Sequence, residues 1–297
     1  MIDNPPVIDF RHVTIDFDGR HALDDVSFTL ERGGMICFTG ISGSGKSVLL
    51  RVAAGLLMPD AGEVLVDGCD IARLSEPELL ALRSKSMGVL FQEQSVFTGM
   101  SVYDNAAYRL NENGLSDEET DRAVNEILRF VGLDEELDKF PEELSVGMCR
   151  RLEFARALVG WPKIMLLDEA SAGLDPLNAR AMLDLVIRAR DIHQISTLFV
   201  TKELREIPYL NTHSAVKSMT GEIFIESMAS GSQRQATDAA RQMRVMVLDN
   251  GSAVFFGSVA EFASSVLPQV TLLTHPPSSA PPTDTYIPDP WARRAKK

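Results

Sequence analysis

Residues 35–54 constrain this chain more than any other stretch. Met35-Ile36-Cys37-Phe38-Thr39 is a short apolar run, Gly40-Ile41-Ser42-Gly43-Ser44-Gly45-Lys46-Ser47 fits the pattern G-x-x-x-x-G-K-[ST], and Val48 to Ala54 has helical character. Apolar run, glycine-rich turn and helix, in that order, predict a buried parallel strand feeding a phosphate-binding loop. Glycines allow successive backbone N–H groups to turn inward, and a helix N-terminus adds partial positive charge. Gly40, Ile41, Ser42, Gly43, Ser44, Gly45, Lys46 and Ser47 are therefore expected to cradle a polyphosphate. Lys46 is placed to contact the β- and γ-phosphates, and the Ser47 hydroxyl to reach Mg²⁺.

A second site element lies further along. Ile164-Met165-Leu166-Leu167-Asp168-Glu169 is four apolar residues followed by two carboxylates. As a strand, it carries both acids to its carboxyl end, where open α/β sheets bind ligands. Asp168 is expected to hold Mg²⁺, and Glu169 to polarise the water that attacks a γ-phosphate. Phosphoryl transfer is mostly positioning and charge neutralisation, so these few groups suffice.

The rest of the chain reads as mixed α/β. Residues 7–30 have the alternation and Asp18-Gly19 turn of antiparallel strands, and Glu63 to Gly68 adds another. Residues 93–160 are mostly helical in pattern. Ser116-Asp117-Glu118-Glu119 has capping-box spacing and predicts a helix to about Val131. Thr197 to Thr201 is a further apolar strand, and Val245 to Phe256 around Asn250-Gly251 is a hairpin. Residues 211–242 read as a polar, irregular surface insertion. The proline-rich tail, 270–297, cannot form a core alone; it is either disordered or laid along a partner.

Bulk properties exclude several classes. The chain has 297 residues, 45% apolar and 24% charged, enough for a full core. Its net charge of −13 argues against a nucleic-acid partner. Cys37, Cys69 and Cys149 form no C-x-x-C pair and suit a reducing compartment. The N-terminus has no signal-peptide pattern, and no apolar run reaches the ~18–20 residues of a membrane span. A membrane role is thus expected only through a partner. Twelve Asp/Glu and three Lys/Arg lie between Glu112 and Glu143. That acidity reads either as a solvated helix face or as a complement to a basic segment of a partner.

Leu144-Ser145-Val146-Gly147-Met148-Cys149-Arg150-Arg151 resembles the L-S-G-G-Q-x-x-R signature of ATP-binding-cassette (ABC) ATPases. With Gln92, Asp168-Glu169 and Ser171-Ala172-Gly173-Leu174-Asp175, the cassette motifs stand in cassette order over residues 7–262. The resemblance implies a P-loop fold with a RecA-like core, an antiparallel β subdomain and a helical subdomain. It implies ATP and Mg²⁺ as cofactors, a homodimer of nucleotide-binding subunits, and an integral-membrane permease. Such a protein sits peripherally on the cytoplasmic face of the bacterial cell membrane. Ser145, Gly147 and Met148 would then contact the ATP held by the opposite subunit, and Asp175 would reach that same site. Gln92 would reach metal and attacking water. Phe17 stands either to stack on adenine or as an ordinary half-buried strand residue.

Within that family, Met148 and the segment Leu90 to Asn105 are similar to the ATPases of mammalian-cell-entry (MCE) lipid transporters. That implies a lipid cargo and an MCE-domain partner. Three positions depart from the common pattern: Val146 for glycine, Ala170 for proline, and Lys202 where a switch histidine is expected. A charged lysine can donate to phosphate but cannot accept a hydrogen bond, and it can pair with Glu169. Slow hydrolysis is expected, with a low-turnover nucleotide clamp as the alternative.

Overall fold

A computed structural model describes residues 5–93, 95–112, 114–218, 220–227 and 243–274. The first part of the chain runs β1 (Ile8–Phe17), β2 (Arg20–Leu30), β3 (Met35–Thr39), α1 (Lys46–Ala53), β4 (Ala61–Val66), β5 (Cys69–Asp70), α2 (Glu76–Ser86) and β6 (Met87–Leu90). Three helices follow: α3 (Val102–Glu112), α4 (Asp117–Val131) and α5 (Val146–Leu158). The last part is β7 (Ile164–Asp168), α6 (Pro176–His193), β8 (Ser196–Val200), α7 (Glu206–Thr212), β9 (His213–Lys217), β10 (Ile223–Ser227), β11 (Arg244–Asp249), β12 (Ser252–Ser258), α8 (Val259–Ala263) and α9 (Pro268–Thr274).

The central sheet has the order β12-β11-β3-β8-β7-β6 and is parallel except for β12 at its edge. A separate antiparallel sheet has the order β2-β1-β4-β5. The central strands read as unbroken apolar runs because both their faces are covered. Ile36, Phe38, Leu166 and Leu198 enter a core shared with the antiparallel sheet and α1. Met35, Cys37, Met165 and Phe199, one residue out of phase, enter the core formed with α3 to α6.

The strand order fixes what can meet. Strand β8 lies between β3 and β7, so the residues following it emerge between the glycine-rich loop and the two acids. Lys202 is therefore placed by topology beside both.

Local chemistry sets the helix starts. Ser116 and Glu119 form the expected capping box of α4, which ends at Gly132 in the left-handed conformation (φ 68°). The acidic stretch is solvated: of its twelve carboxylates all but half-buried Glu136 are exposed. Residues 211–218 and 220–227 are more regular than their polarity suggests. They complete α7 and form the antiparallel β9–β10 hairpin, which turns Ile223 and Ile225 against the helical core. Residues 228–242 of that segment lie outside the described residues. The tail begins with α9, which buries Val270, and 275–297 also fall outside the described residues.

Candidate functional site

The glycine-rich loop leaves the carboxyl end of β3 and hands over to α1 at Gly45, whose φ of +102° is open to glycine. Space demands glycine as well: a Cβ there would lie 2.2 Å from the Ala22 carbonyl oxygen. The β1–β2 hairpin therefore presses directly on the loop. Phe17, half-buried, closes β1 opposite Arg20 and packs on the cluster that also receives Val48 of α1.

Lys46 is almost fully buried and folds over its own loop. Its Nζ donates to the carbonyls of Gly40 (2.9 Å) and Ile41 (2.7 Å) and to Ser44 Oγ (3.1 Å). Burial, helped by the charge of Lys202, lowers its pKa to about 8, against the opposing pull of Glu169 and Asp168. A bound polyanion raises that pKa again, so the complex binds more protons than the free protein. Nucleotide affinity is then expected to fall as pH rises above 8, by up to about tenfold per unit. Titration of a fluorescent nucleotide between pH 7 and 9.5 checks it; a flat profile contradicts the assignment.

Asp168 ends β7 and is 3% exposed. Burial pushes its carboxyl pKa up, and the hydrogen bond from Ser47 opposes this only in part. Its Oδ1 has no hydrogen-bond partner. An orphaned carboxylate oxygen beside a serine hydroxyl fits a hard cation such as Mg²⁺, which takes one or two protein oxygens and completes its shell with water and phosphate. Among the described residues no cluster of three or more His, Cys, Asp or Glu side chains could hold a metal by itself.

Glu169 follows in the left-handed region (φ +51°), its N–H donating to the Val200 carbonyl at 3.0 Å. Lys202 Nζ lies 2.6 Å from Glu169 Oε1. Gln92 is exposed in the loop after β6, next to β7 at the sheet edge.

Ser145, Gly147, Met148 and Asp175 make a second cluster at the starts of α5 and α6. Ser145 caps α5 and accepts from the Met148 N–H at 3.2 Å. Asp175 caps α6, accepting from the Leu177 and Asn178 N–H groups at 3.0 and 3.1 Å. The two helix starts touch: a Cβ on Gly147 would lie 2.5 Å from Asn178 Oδ1. Val146 and Leu177 beside them are 62% and 78% exposed. Among the described residues no hydrogen bond joins these side chains to Lys46, Asp168, Glu169 or Lys202.

Three buried polar groups escape sequence reasoning. Glu206, 5% exposed, accepts from Thr201 Oγ1 at 2.6 Å and from Ser171 Oγ, and its burial raises the carboxyl pKa. Arg150 donates to the carbonyls of Glu169 and Ala170 in the turn after β7. Asn105 donates to the carbonyls of Phe97, Met100 and Ser101 and accepts from the Phe97 N–H, fixing the loop beyond Gln92. Thr-Lys-Glu-Leu-Arg-Glu and Cys-Arg-Arg look like surface sequence, and only the tertiary fold buries Thr201 and Glu206 of the first and Arg150 of the second.

Residues 23–172 match the ABC transporter family; Phe17, Asp175 and Lys202 lie outside that match. The chain is 38% identical over 220 residues to the methionine import ATP-binding protein MetN of Bifidobacterium longum, covering 72% of this chain and 55% of that one. It is 37% identical over 201 residues to the glycine betaine/proline betaine transport system ATP-binding protein ProV of Escherichia coli, covering 68% and 50%. The chain thus spans about half the length of these curated relatives. Among solved structures it resembles cbiO1 of Clostridium perfringens, part of the ABC transporter complex cbiONQ (TM-score 0.72, 24% identity, 92% of this chain and 97% of that one). It also resembles the ATP-binding cassette MJ0796 in a dimeric post-hydrolysis state with ADP and Pi (TM-score 0.67, 22% identity, 84% and 98%). At these identities the structural likeness speaks for the fold: α/β, with the cassette arrangement of a parallel core, an antiparallel sheet and a helical layer.

Proposed function

Because this chain belongs to the ABC transporter family, we propose that it binds and hydrolyses ATP as the motor subunit of a membrane transporter, with residues 7–262 as the ATP-binding unit. The observation that carries this reading is the convergence of Lys46, Asp168 and Glu169 across three neighbouring strands, with an unpartnered carboxylate oxygen among them. Loop N–H groups and Lys46 hold the β- and γ-phosphates. Ser47, Asp168 and Gln92 hold Mg²⁺, which supplies charge neutralisation when bound. Glu169 accepts the proton of the attacking water. Ser145, Gly147 and Met148 offer a helix N-terminus to the ATP of a second copy, and the exposed Val146 and Leu177 beside them suit a protein contact. The test is equilibrium binding of adenine nucleotide with Mg²⁺, followed by phosphate release. Absence of both sinks the reading.

Turnover is slow in this reading because Lys202 neutralises the carboxylate that must act as base. Lys202→His, which restores a group able to donate and accept, is expected to raise kcat by about tenfold. Equal rates for the parent and Lys202→Ala would remove any catalytic role for Lys202. High ATP affinity with no turnover at all would favour the nucleotide-clamp reading instead.

The cargo is read from two sources. Met148 and the Leu90 to Asn105 segment favour an MCE-type lipid system with an MCE-domain partner. The names of the curated relatives favour import of small polar solutes. Mass spectrometry of the purified transporter separates them: co-purifying phospholipid supports the first, while uptake of methionine or betaine that depends on this chain supports the second.

A cleft of about 340 Å³ between α2, β6, α3 and α5 offers a seat for a permease segment. It is lined by Arg83, Arg109 and Arg156. Arg109 and Arg156 are spent on backbone carbonyls. An acidic segment would complement these arginines, and a basic one the exposed acidic stretch.

A further inference from the structure

Arg150 sits about one turn into α5 and is 6% exposed. Its guanidinium reaches three elements at once. Nε donates to the Ala170 carbonyl at 2.9 Å, and NH2 to the Glu169 carbonyl at 2.9 Å and the Asp168 carbonyl at 3.5 Å. NH1 donates to the Phe91 carbonyl at 3.2 Å and pairs with Glu153 Oε2 at 2.6 Å. Glu153, also buried, uses its other oxygen to accept from the Ser95 N–H at 2.8 Å. Arg156, one turn further along, donates to the Ser95 carbonyl.

The geometry has a clear physical sense. Three consecutive carbonyls, of residues 168, 169 and 170, converge on one point, which is unfavourable without a cation between them. The turn they belong to holds Glu169 at a φ of +51°, a conformation a non-glycine residue keeps only when its surroundings dictate it. A planar five-donor fork can satisfy this set; a single ammonium cannot reach all of it. The same fork and its Glu153 partner also grip the loop carrying Gln92 on both sides, at Phe91 and at Ser95.

We propose that Arg150 is a positioning residue that ties the Glu169 turn and the Gln92 loop to α5, the helix whose N-terminus serves the opposite ATP. This rests on the ATPase reading above. It adds a short route, along one helix and across the Arg150 hydrogen bonds, from the neighbouring subunit's nucleotide to this subunit's own base. Nothing in it needs Arg150 to touch ATP.

The test is Arg150→Lys in the full chain, with Mg-ATP affinity, KM and kcat measured beside the parent. Charge is kept and the fork is lost. The expected result is nucleotide affinity within about threefold of the parent, with kcat lower by about ten- to a hundredfold. Parental kcat in Arg150→Lys overturns the inference. Should that variant not fold, Arg150→Met combined with Glu153→Met decides, since removing both buried charges leaves neither uncompensated. In the double variant, lowered kcat with retained affinity supports the positioning role, and parental kcat shows that the pair serves only the fold. If the parent itself binds no Mg-ATP, the ATPase reading fails first and takes this inference with it.

Discussion

Glu169→Gln is expected to reduce ATP turnover by about 10²–10⁴-fold, the range lost when a positioned general base is removed. Glutamine keeps the volume and the hydrogen-bonding reach but cannot take a proton from water. The left-handed backbone, the Val200 contact of its N–H and the Arg150 contact of its carbonyl are all main-chain features, so the fold is retained. The side-chain change that remains is loss of the ion pair with Lys202, which is close to half exposed and contributes little to stability. Nucleotide binding should therefore survive while phosphate release stops. The informative readout is the assembly state with Mg-ATP: if hydrolysis separates two copies gripping ATP, the variant accumulates as a nucleotide-bound dimer in gel filtration. Undiminished phosphate release would remove Glu169 from the mechanism and shift the role of base elsewhere.

Lys46→Ala is expected to act on the other half of the reaction, weakening Mg-ATP binding by about ten- to a hundredfold. A charge-assisted hydrogen bond made in a buried site is lost, and no other cation on the loop replaces it. Lys46 already makes three hydrogen bonds to Gly40, Ile41 and Ser44, so it is pre-positioned at the loop's mouth. Its loss also removes a charge that favours the ionised form of Asp168. The variant should show a weaker response to Mg²⁺ as well as to nucleotide. Isothermal titration with and without the metal distinguishes the two contributions. Parental affinity in Lys46→Ala would mean that the glycine-rich loop is not the phosphate site.

Much of the architecture was legible in the chain because its signals are local. The strand–loop–helix at 35–54, the capping box at Ser116 and the Asn250-Gly251 hairpin each depend on a few adjacent residues, and each forms as read. Lys202 was legible too, as a departure from a pattern, and the pairing with Glu169 that lysine permits is the one observed. What stayed hidden depends on distant segments meeting. Arg150 reads as one more arginine on a helix until the turns at 91 and 168–170 close around it. Glu206 reads as a surface acid until Ser171 and Thr201 reach it. The hairpin of strands β9 and β10 was obscured by its polar neighbours and by Ile223-Phe224-Ile225, an unbroken apolar run in which only the fold turns Ile223 and Ile225 inward and Phe224 out. In the acidic stretch, composition allowed either a solvated face or a partner's basic segment, and the exposure of those carboxylates fits both.

The backbone of Glu169 sets two demands against each other. At a φ of +51° the position favours glycine or asparagine, and the fold would relax by about 1 kcal/mol if either replaced the glutamate. Backbone strain works against the carboxylate that the proposed chemistry requires, so a variant freed from turnover gains stability by giving it up. Side-chain chemistry and main-chain geometry thus ask for different residues at the same point of the chain.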